Sequence, residues 1–199
     1  SFNGSGMVTT AIGSNALGLA VAIQPTDGRI VAAGYASNGS NNDVAVARYN
    51  TNGTLDTSFN GTGTVTTPIG ANTDEAYDVA IQPDGKIVTA GRSFNGPTVT
   101  DFALVRYNSN GTLDTSFNGT GKVTTPVGSS GSFAYSVAIQ SDGRIVTAGS
   151  SSNGSNGDFA LVRYNTNGTL DTSFSGTGIV ATTFGSGNDL AQSVAIQSD

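Results

Sequence analysis

The feature that most constrains this chain is its self-similarity. Ser-Phe-x-Gly-x-Gly begins at Ser1, Ser58, Ser116 and Ser173. Val-Ala-Ile-Gln begins at Val21, Val79, Val137 and Val194, and Arg-Tyr-Asn at Arg48, Arg106 and Arg163. The unit is therefore 57–58 residues, and the 199 residues hold about three and a half copies. Residues that recur in every copy answer a need that every copy shares, which is folding.

The second copy shows four extended runs. Ala76–Gln82 alternates, with Tyr77, Val79 and Ile81 predicted on one face. Pro83-Asp84-Gly85-Lys86 follows, and Asp-Gly between alternating runs marks a tight hairpin. Lys86–Gly91 is the second run. The third, Asp101–Asn108, places Phe102 and Leu104 on one face and Ala103, Val105 and Tyr107 on the other. A long turn, Ser109–Gly121, leads to the fourth run, Lys122–Thr125. Gly, Ser, Thr and Asn make up nearly half the chain. These residues disfavour helix interiors, while the apolar set, mostly β-branched or aromatic, suits a pleated surface. Four short antiparallel strands per ~50-residue unit is the signature of a β-propeller blade. The fold class predicted is all-β: propeller blades of four antiparallel strands, the first strand innermost and the fourth outermost. Val21, Ile23, Val79, Ile81, Val137, Ile139, Val194 and Ile196 are expected in the core, with Phe59, Phe117 and Phe174 anchoring the long turns.

Val-Ala-Ile-Gln-Pro-Asp-Gly-Lys-Ile-Val-Thr-Ala-Gly (Val79–Gly91), Phe-Ala-Leu-Val-Arg-Tyr-Asn (Phe102–Asn108) and Gly-Thr-Leu-Asp-Thr-Ser-Phe (Gly111–Phe117) resemble the delta-60 repeat family of bacterial proteins, a resemblance covering essentially the whole chain. It implies a β-propeller and little about activity, since fold does not fix function. Where that family often has Asp in the long turn, this chain has Asn52, Asn110 and Asn167, which weakens a cation-binding reading of the turn.

The repeat divides the chain into an outer strand of a preceding blade (1–15), three blades (16–70, 71–128 and 129–185) and the first strand of a fourth (186–199). Met7–Thr10 reads as a fourth-type strand and Ser193–Gln197 as a first-type strand. The other copies continue from the Asp equivalent to Asp199 into Gly and another strand, so the natural polypeptide is expected to continue. Propellers close with four to eight blades. Further repeats or another copy of the chain are expected to complete the ring, and a simple closed dimer is disfavoured because the joint lacks the two middle strands.

Composition narrows the chemistry. There is no His, Cys or Trp. The ordinary ligands of zinc, haem and iron–sulfur sites are missing, and so is the imidazole of Ser-His-Asp or Cys-His machinery. Eight Lys and Arg face fourteen Asp and Glu, a net charge of −6 that argues against nucleic acid. No apolar run approaches the ~20 residues of a membrane span. No catalytic residues, cofactor or metal are predicted.

Arg48, Arg106 and Arg163 each follow an Asp by five residues (Asp43, Asp101, Asp158) and precede one by eight (Asp56, Asp114, Asp171). They suit either an anion-binding ring or, preferred because they recur, one structural ion pair per blade. Asn50, Asn52 and Asp56, with their counterparts, echo oxygen-rich calcium loops, but one carboxylate per turn is too few. Eight Asn-Gly-Ser/Thr triplets read as ordinary turns.

Two links per blade vary, the one from fourth to first strand and the one from second to third. In an up-and-down blade both lie at the same end, which makes that end the place for recognition. Tyr35, Phe94 and Phe133 sit in or beside these loops, and the unrepeated Asp74 and Glu75 lie with them; these five are the candidate ligand-binding residues. The function expected is a non-catalytic scaffold, secreted or on the bacterial cell surface, that adheres to a glycan or protein through this face. The alternatives are a structural repeat array and an accessory domain of a larger enzyme.

Overall fold

The computed structural model describes residues 2–96 and 99–197. Pro97 and Thr98, within the second-to-third link of the second copy, and the terminal Ser198-Asp199 lie outside the described residues. The first blade comprises β1 (Ala16–Ile23), β2 (Ile30–Ser37), β3 (Asn42–Tyr49) and β4 (Thr64–Thr67). The second comprises β5 (Asp74–Ile81), β6 (Ile87–Phe94), β7 (Thr100–Tyr107) and β8 (Lys122–Thr125). The third comprises β9 (Gly131–Ile139), β10 (Ile145–Ser152), β11 (Gly157–Tyr164) and β12 (Ile179–Thr182). Blades 1 and 2 are antiparallel sheets ordered as in the sequence. In blade 3, β10, β11 and β12 pair in order, with β9 lying along β10. The chain is all-β apart from a short 3-10 turn at Phe2–Gly4, and β1, β5 and β9 run beside one another as the inner strands.

The hairpins form for a local reason. In Pro83-Asp84-Gly85-Lys86 the Asp84 carboxylate accepts the Lys86 amide at 3.1 Å while the Gln82 amide donates to the Lys86 carbonyl at 2.8 Å. Asp27 and Asp142 repeat the arrangement on Arg29 and Arg144, each at 3.0 Å. A side chain that closes its own turn fixes the register of the two strands it joins.

One feature differs from simple alternation. The β5–β6 register slips between Ala76 and Asp78, which makes Tyr77 a bulged residue, and β1 has the same slip at Leu19. Ala76 and Val79 both pack toward blade 1, so Tyr77 does not share the face predicted for it with Val79 and Ile81. Opposite the bulge, Gly91 lies so close to β5 that a Cβ there would collide with the Glu75 carbonyl.

The hydrophobic cores lie between blades. Val31, Ala33, Val44 and Val46 of blade 1 meet Val79, Ile87, Val105 and Tyr107 of blade 2. Val88, Phe102 and Leu104 of blade 2 meet Val137, Ile145, Val162 and Tyr164 of blade 3. The third-strand faces are therefore as the alternation predicts. Val79 and Val137 are 6% and 7% exposed. Their counterpart Val21 is 66% exposed and Ile23 is 57%, contrary to the expected core, because no blade covers the leading face of blade 1. Ile196 is likewise exposed. Met7–Thr10 and Ser193–Gln197 form no strand ladder, since no middle strands lie beside them to accept their hydrogen bonds. Thr10 nevertheless occupies an outer-strand position, receiving the Tyr49 hydroxyl at 2.8 Å as Thr67 receives Tyr107 and Thr125 receives Tyr164.

A polar fastening joins the blades at the hairpin end. Arg48 Nε donates to Asp56 at 2.7 Å, its guanidinium lies 4.8 Å from the Phe59 ring centroid, and Nη1 donates across the junction to the Ser109 carbonyl. Arg106 does the same with Asp114 (2.8 Å), Phe117 (4.4 Å) and the Thr166 carbonyl (2.5 Å). Phe59 slides under Gly111 of the next blade, and the Asn60 amide donates to the Asn110 carbonyl at 2.7 Å. The dependence on a following blade is visible in exposure. The Arg48 and Arg106 side chains are 3% and 6% exposed, but that of Arg163, which makes no such cross-junction bond among the described residues, is 21%. Of the two readings of these arginines, the structure shows the structural ion pair.

Burial opposes ionisation of Asp56 and Asp114, but the hydroxyl and amide of Ser58 or Ser116, together with the adjacent arginine, outweigh it and hold both carboxyls below the usual range. A folded pKa below the unfolded one stabilises fully above the unfolded value of about 3.9 and is lost as pH falls through the folded value. Stability measured by urea titration is therefore expected to fall steeply below about pH 4. Arg106→Ala, which leaves Asp114 buried and without its ion pair, is expected to cost ~3–5 kcal/mol, whereas Thr115→Ala, at an exposed position, is expected to stay within ~0.5 kcal/mol.

Candidate functional site

The two varying links of each blade share the end opposite the fastening. Asn41, in the β2–β3 link, donates to the Ala71 carbonyl in the β4–β5 link at 2.9 Å, and Asn156 makes the same kind of bond to the Gly187 carbonyl at 2.7 Å. The β2–β3 type of link is tied down from below. Asn38 donates to Asp43 at 2.9 Å, Asn95 to Asp101 at 3.2 Å and Asn153 to Asp158 at 2.9 Å. The first Asp of the third strand is thus the footing of the variable loop, which explains why it recurs while the loop above it does not. Burial pushes the Asp101 carboxyl up, outweighing the Asn95 hydrogen bond.

The five candidate residues separate into different roles. Asp74 is fully buried, and its Oδ2 accepts the amides of Ile69 (2.7 Å) and Gly70 (3.1 Å), so it shapes the β4–β5 link from inside. Tyr35 lies on blade 1 beside Leu17, Thr10 and Ile12, in a small cavity of about 110 Å³ away from the others. Glu75, Phe94 and Phe133 converge on Arg92. The guanidinium lies 5.1 Å from the Phe94 centroid and 5.3 Å from that of Phe133, and its Nη2 is 2.8 Å from Glu75. Glu75 also receives the Tyr77 hydroxyl at 2.9 Å and, from blade 1, Asn42 at 3.0 Å.

Arg92, Tyr77 and Tyr135 were not among the candidates, yet they complete the cluster. Tyr77 and Tyr135 stack at 5.6 Å, and Phe133 and Tyr135 at 6.0 Å with their planes nearly parallel. The three rings form a half-buried aromatic row on the inner strands of blades 2 and 3. The β-bulge puts Tyr77 there by turning it out of the core alternation, and no alternation of residue types could reveal it. Arg92 counts as a loop residue in the sequence, but β6 extends through Phe94 and makes Arg92 the cross-strand partner of Glu75. Burial and the neighbouring Glu75 carboxylate together push the Tyr77 phenol well above its usual value, more than Arg92 lowers it. Tyr77 therefore stays neutral, with an ion pair at the edge of the row. Rings so arranged offer flat apolar faces and a polar rim.

The Asn-rich long turn, whose oxygens echo a calcium loop, is closed on itself. Asn52 Oδ1 takes the Thr54 amide (3.1 Å) and hydroxyl (2.8 Å), and Asn50 donates to Thr54. Among the described residues no group of three or more acidic side chains could hold a metal.

A family model described as "Domain of unknown function (DUF5122) beta-propeller" matches residues 26–59, 82–117 and 140–174, one segment in each blade and more than half the chain. The chain belongs to this β-propeller repeat family. The matched segments run from the inner hairpin to the Phe of the long turn and so contain Arg48, Asp56 and Phe59 with their counterparts. They leave out Glu75, Tyr77, Phe133 and Tyr135. No curated protein is significantly similar to the chain.

Arg92→Ala would strip the buried Glu75 carboxylate of its ion pair and the rings of their shared cation, at an expected cost of ~1–3 kcal/mol. Near-ultraviolet circular dichroism of that variant should lose part of its tyrosine signal. In an alkaline titration followed by tyrosinate absorbance, Tyr77, Tyr107 and Tyr164, all raised by burial, should ionise only as the fold opens.

Proposed function

We propose that the protein is a non-catalytic interaction scaffold that presents its variable-loop end to a glycan or protein ligand. The observation that carries this reading is the division of labour between the two ends. Blades 1 and 2 use the same residues at the hairpin end to hold the blade that follows, whereas the opposite end bears an aromatic and charged cluster formed by blades 2 and 3. Binding residues concentrate on loops held by a rigid frame, and aromatic rings with a polar handle suit recognition. We further propose that the repeats are of the delta-60 type and that the protein works outside a bacterial cell, at the surface or secreted. The low charge content of 11% and the many Thr and Asn residues support that location.

A structural array is the second reading, favoured by the exposed leading face of blade 1, where Leu17, Leu19, Val21 and Ile23 stand uncovered. Val21 and Ile23 correspond to Val79 and Ile81 of blade 2, which pack against blade 1, so further repeats or another copy would fit there.

Screening the intact protein on a glycan array and against candidate surface proteins tests the first reading. A ligand lost on Phe94→Ala and retained by Asp84→Asn at the hairpin end is the expected outcome. No ligand, together with fibres under the electron microscope, would favour the array.

A further inference from the structure

The loop end carries a cavity of about 330 Å³ between the β10–β11 loop of blade 3 and residues 188–190. The larger hollow at the opposite end is lined by Arg48 and by the hairpin residues Asp27, Arg29 and Asp84, so it belongs to the frame. The cavity beside blade 3 has a different lining. Phe133 and Leu190 supply its apolar surface, and Ser150, Ser155, Asn188 and Asp189 supply polar groups; no Lys or Arg contributes. Among the described residues the hydroxyls of Ser150 and Ser155 make no hydrogen bond to protein. Asn188 uses Oδ1 on the Gly157 amide at 2.7 Å, leaving its NH2 free to donate. Asp189 uses Oδ2 on the Phe184 amide at 2.8 Å, leaving Oδ1 free to accept.

Resting on the loop-face reading above, we infer that this cavity is the seat of the ligand and that the ligand is a neutral carbohydrate. Free hydroxyls that both donate and accept, one amide donor and one carboxylate acceptor match the mixed donor and acceptor pattern of sugar hydroxyls. An anionic ligand would find no cation and would meet Asp189. The Phe133 ring lines the wall, held by the Arg92 guanidinium and by Tyr135, and supplies apolar C–H surface beside the polar groups. A peptide would need apolar pockets for its side chains, and the lining offers only Phe133 and Leu190. The volume falls in the roughly 300–1,000 Å³ range of small-molecule sites.

The test is an amide NMR titration of the intact, isotope-labelled chain with the methyl glycosides of glucose, galactose, mannose and N-acetylglucosamine. At least one sugar should shift resonances of residues 131–133, 150–157 and 188–190 together. Phe133→Ala should weaken that sugar about tenfold, Phe133→Tyr should retain it, and Ser155→Ala, on an exposed loop, should weaken it without altering the fold. Shifts confined to other loops of the same end would overturn this seat while leaving the loop-face reading intact. No shift with any of the four sugars would overturn the carbohydrate assignment, and the loop-face reading would then stand or fall on whether a protein ligand is lost with Phe94→Ala.

Discussion

The structure depends on the way a buried arginine bridges two blades. In Arg48 and Arg106 one planar side chain serves a carboxylate, an aromatic ring and a carbonyl of the next blade at once, a task the fixed fork of a guanidinium can do and an ammonium cannot. A charge so thoroughly removed from water is tolerated only when each of its donors is occupied. The contact is therefore specific: it exists only when the next blade stands at the right distance and angle. The apolar core between blades adds non-directional stabilisation, and the arginine with its Asp and Phe adds the directional contact. Arg163, with no carbonyl to reach across a junction among the described residues, shows the same side chain in looser surroundings.

With one end of each blade committed to that contact, the other end is released from it. Its loops need only reach from one strand to the next, and the Asn–Asp footing below each β2–β3 type link supplies a fixed base whatever sequence lies above. Blade 2 and blade 3 use this freedom to place Glu75, Arg92 and four aromatic rings together. The corresponding positions of blade 1 hold Leu17, Leu19 and Tyr35, which bring neither a carboxylate nor a guanidinium.

Much of this was legible beforehand, for physical reasons that can be named. The hairpins were visible because Asp-Gly closes its own turn, and the two faces of the third strand were visible because side chains alternate in a pleat. Phe59 and Phe117 as anchors of the long turn followed from their recurrence. What stayed hidden depends on backbone geometry rather than residue type. Tyr77 looks like a core residue beside Val79 and Ile81 until the inserted residue of a bulge rotates it away. Arg92 looked like the start of a loop because a Ser-Phe-Asn-Gly stretch follows it, yet the strand continues as long as its partner does. Val21 and Ile23 are identical in type to buried counterparts, and their exposure is set by what stands next to them. Asp74 sits beside a variable loop in the sequence, but the Ile69 and Gly70 amides draw it inward.

The most direct test of the account compares two glycines of the long turns. Gly111 and Gly61 both have positive φ, +89° and +76°, but a Cβ on Gly111 would press on the Phe59 ring and the Asn60 amide of the preceding blade, while one on Gly61 would meet nothing within 4 Å. Alanine at either position pays the same kind of backbone strain, so the difference between Gly111→Ala and Gly61→Ala in equilibrium unfolding isolates the contact between blades. The account predicts that Gly111→Ala is the more destabilising by ~1–3 kcal/mol. Equal losses at the two sites would mean that the blades are not held by this junction, and the central claim would fail.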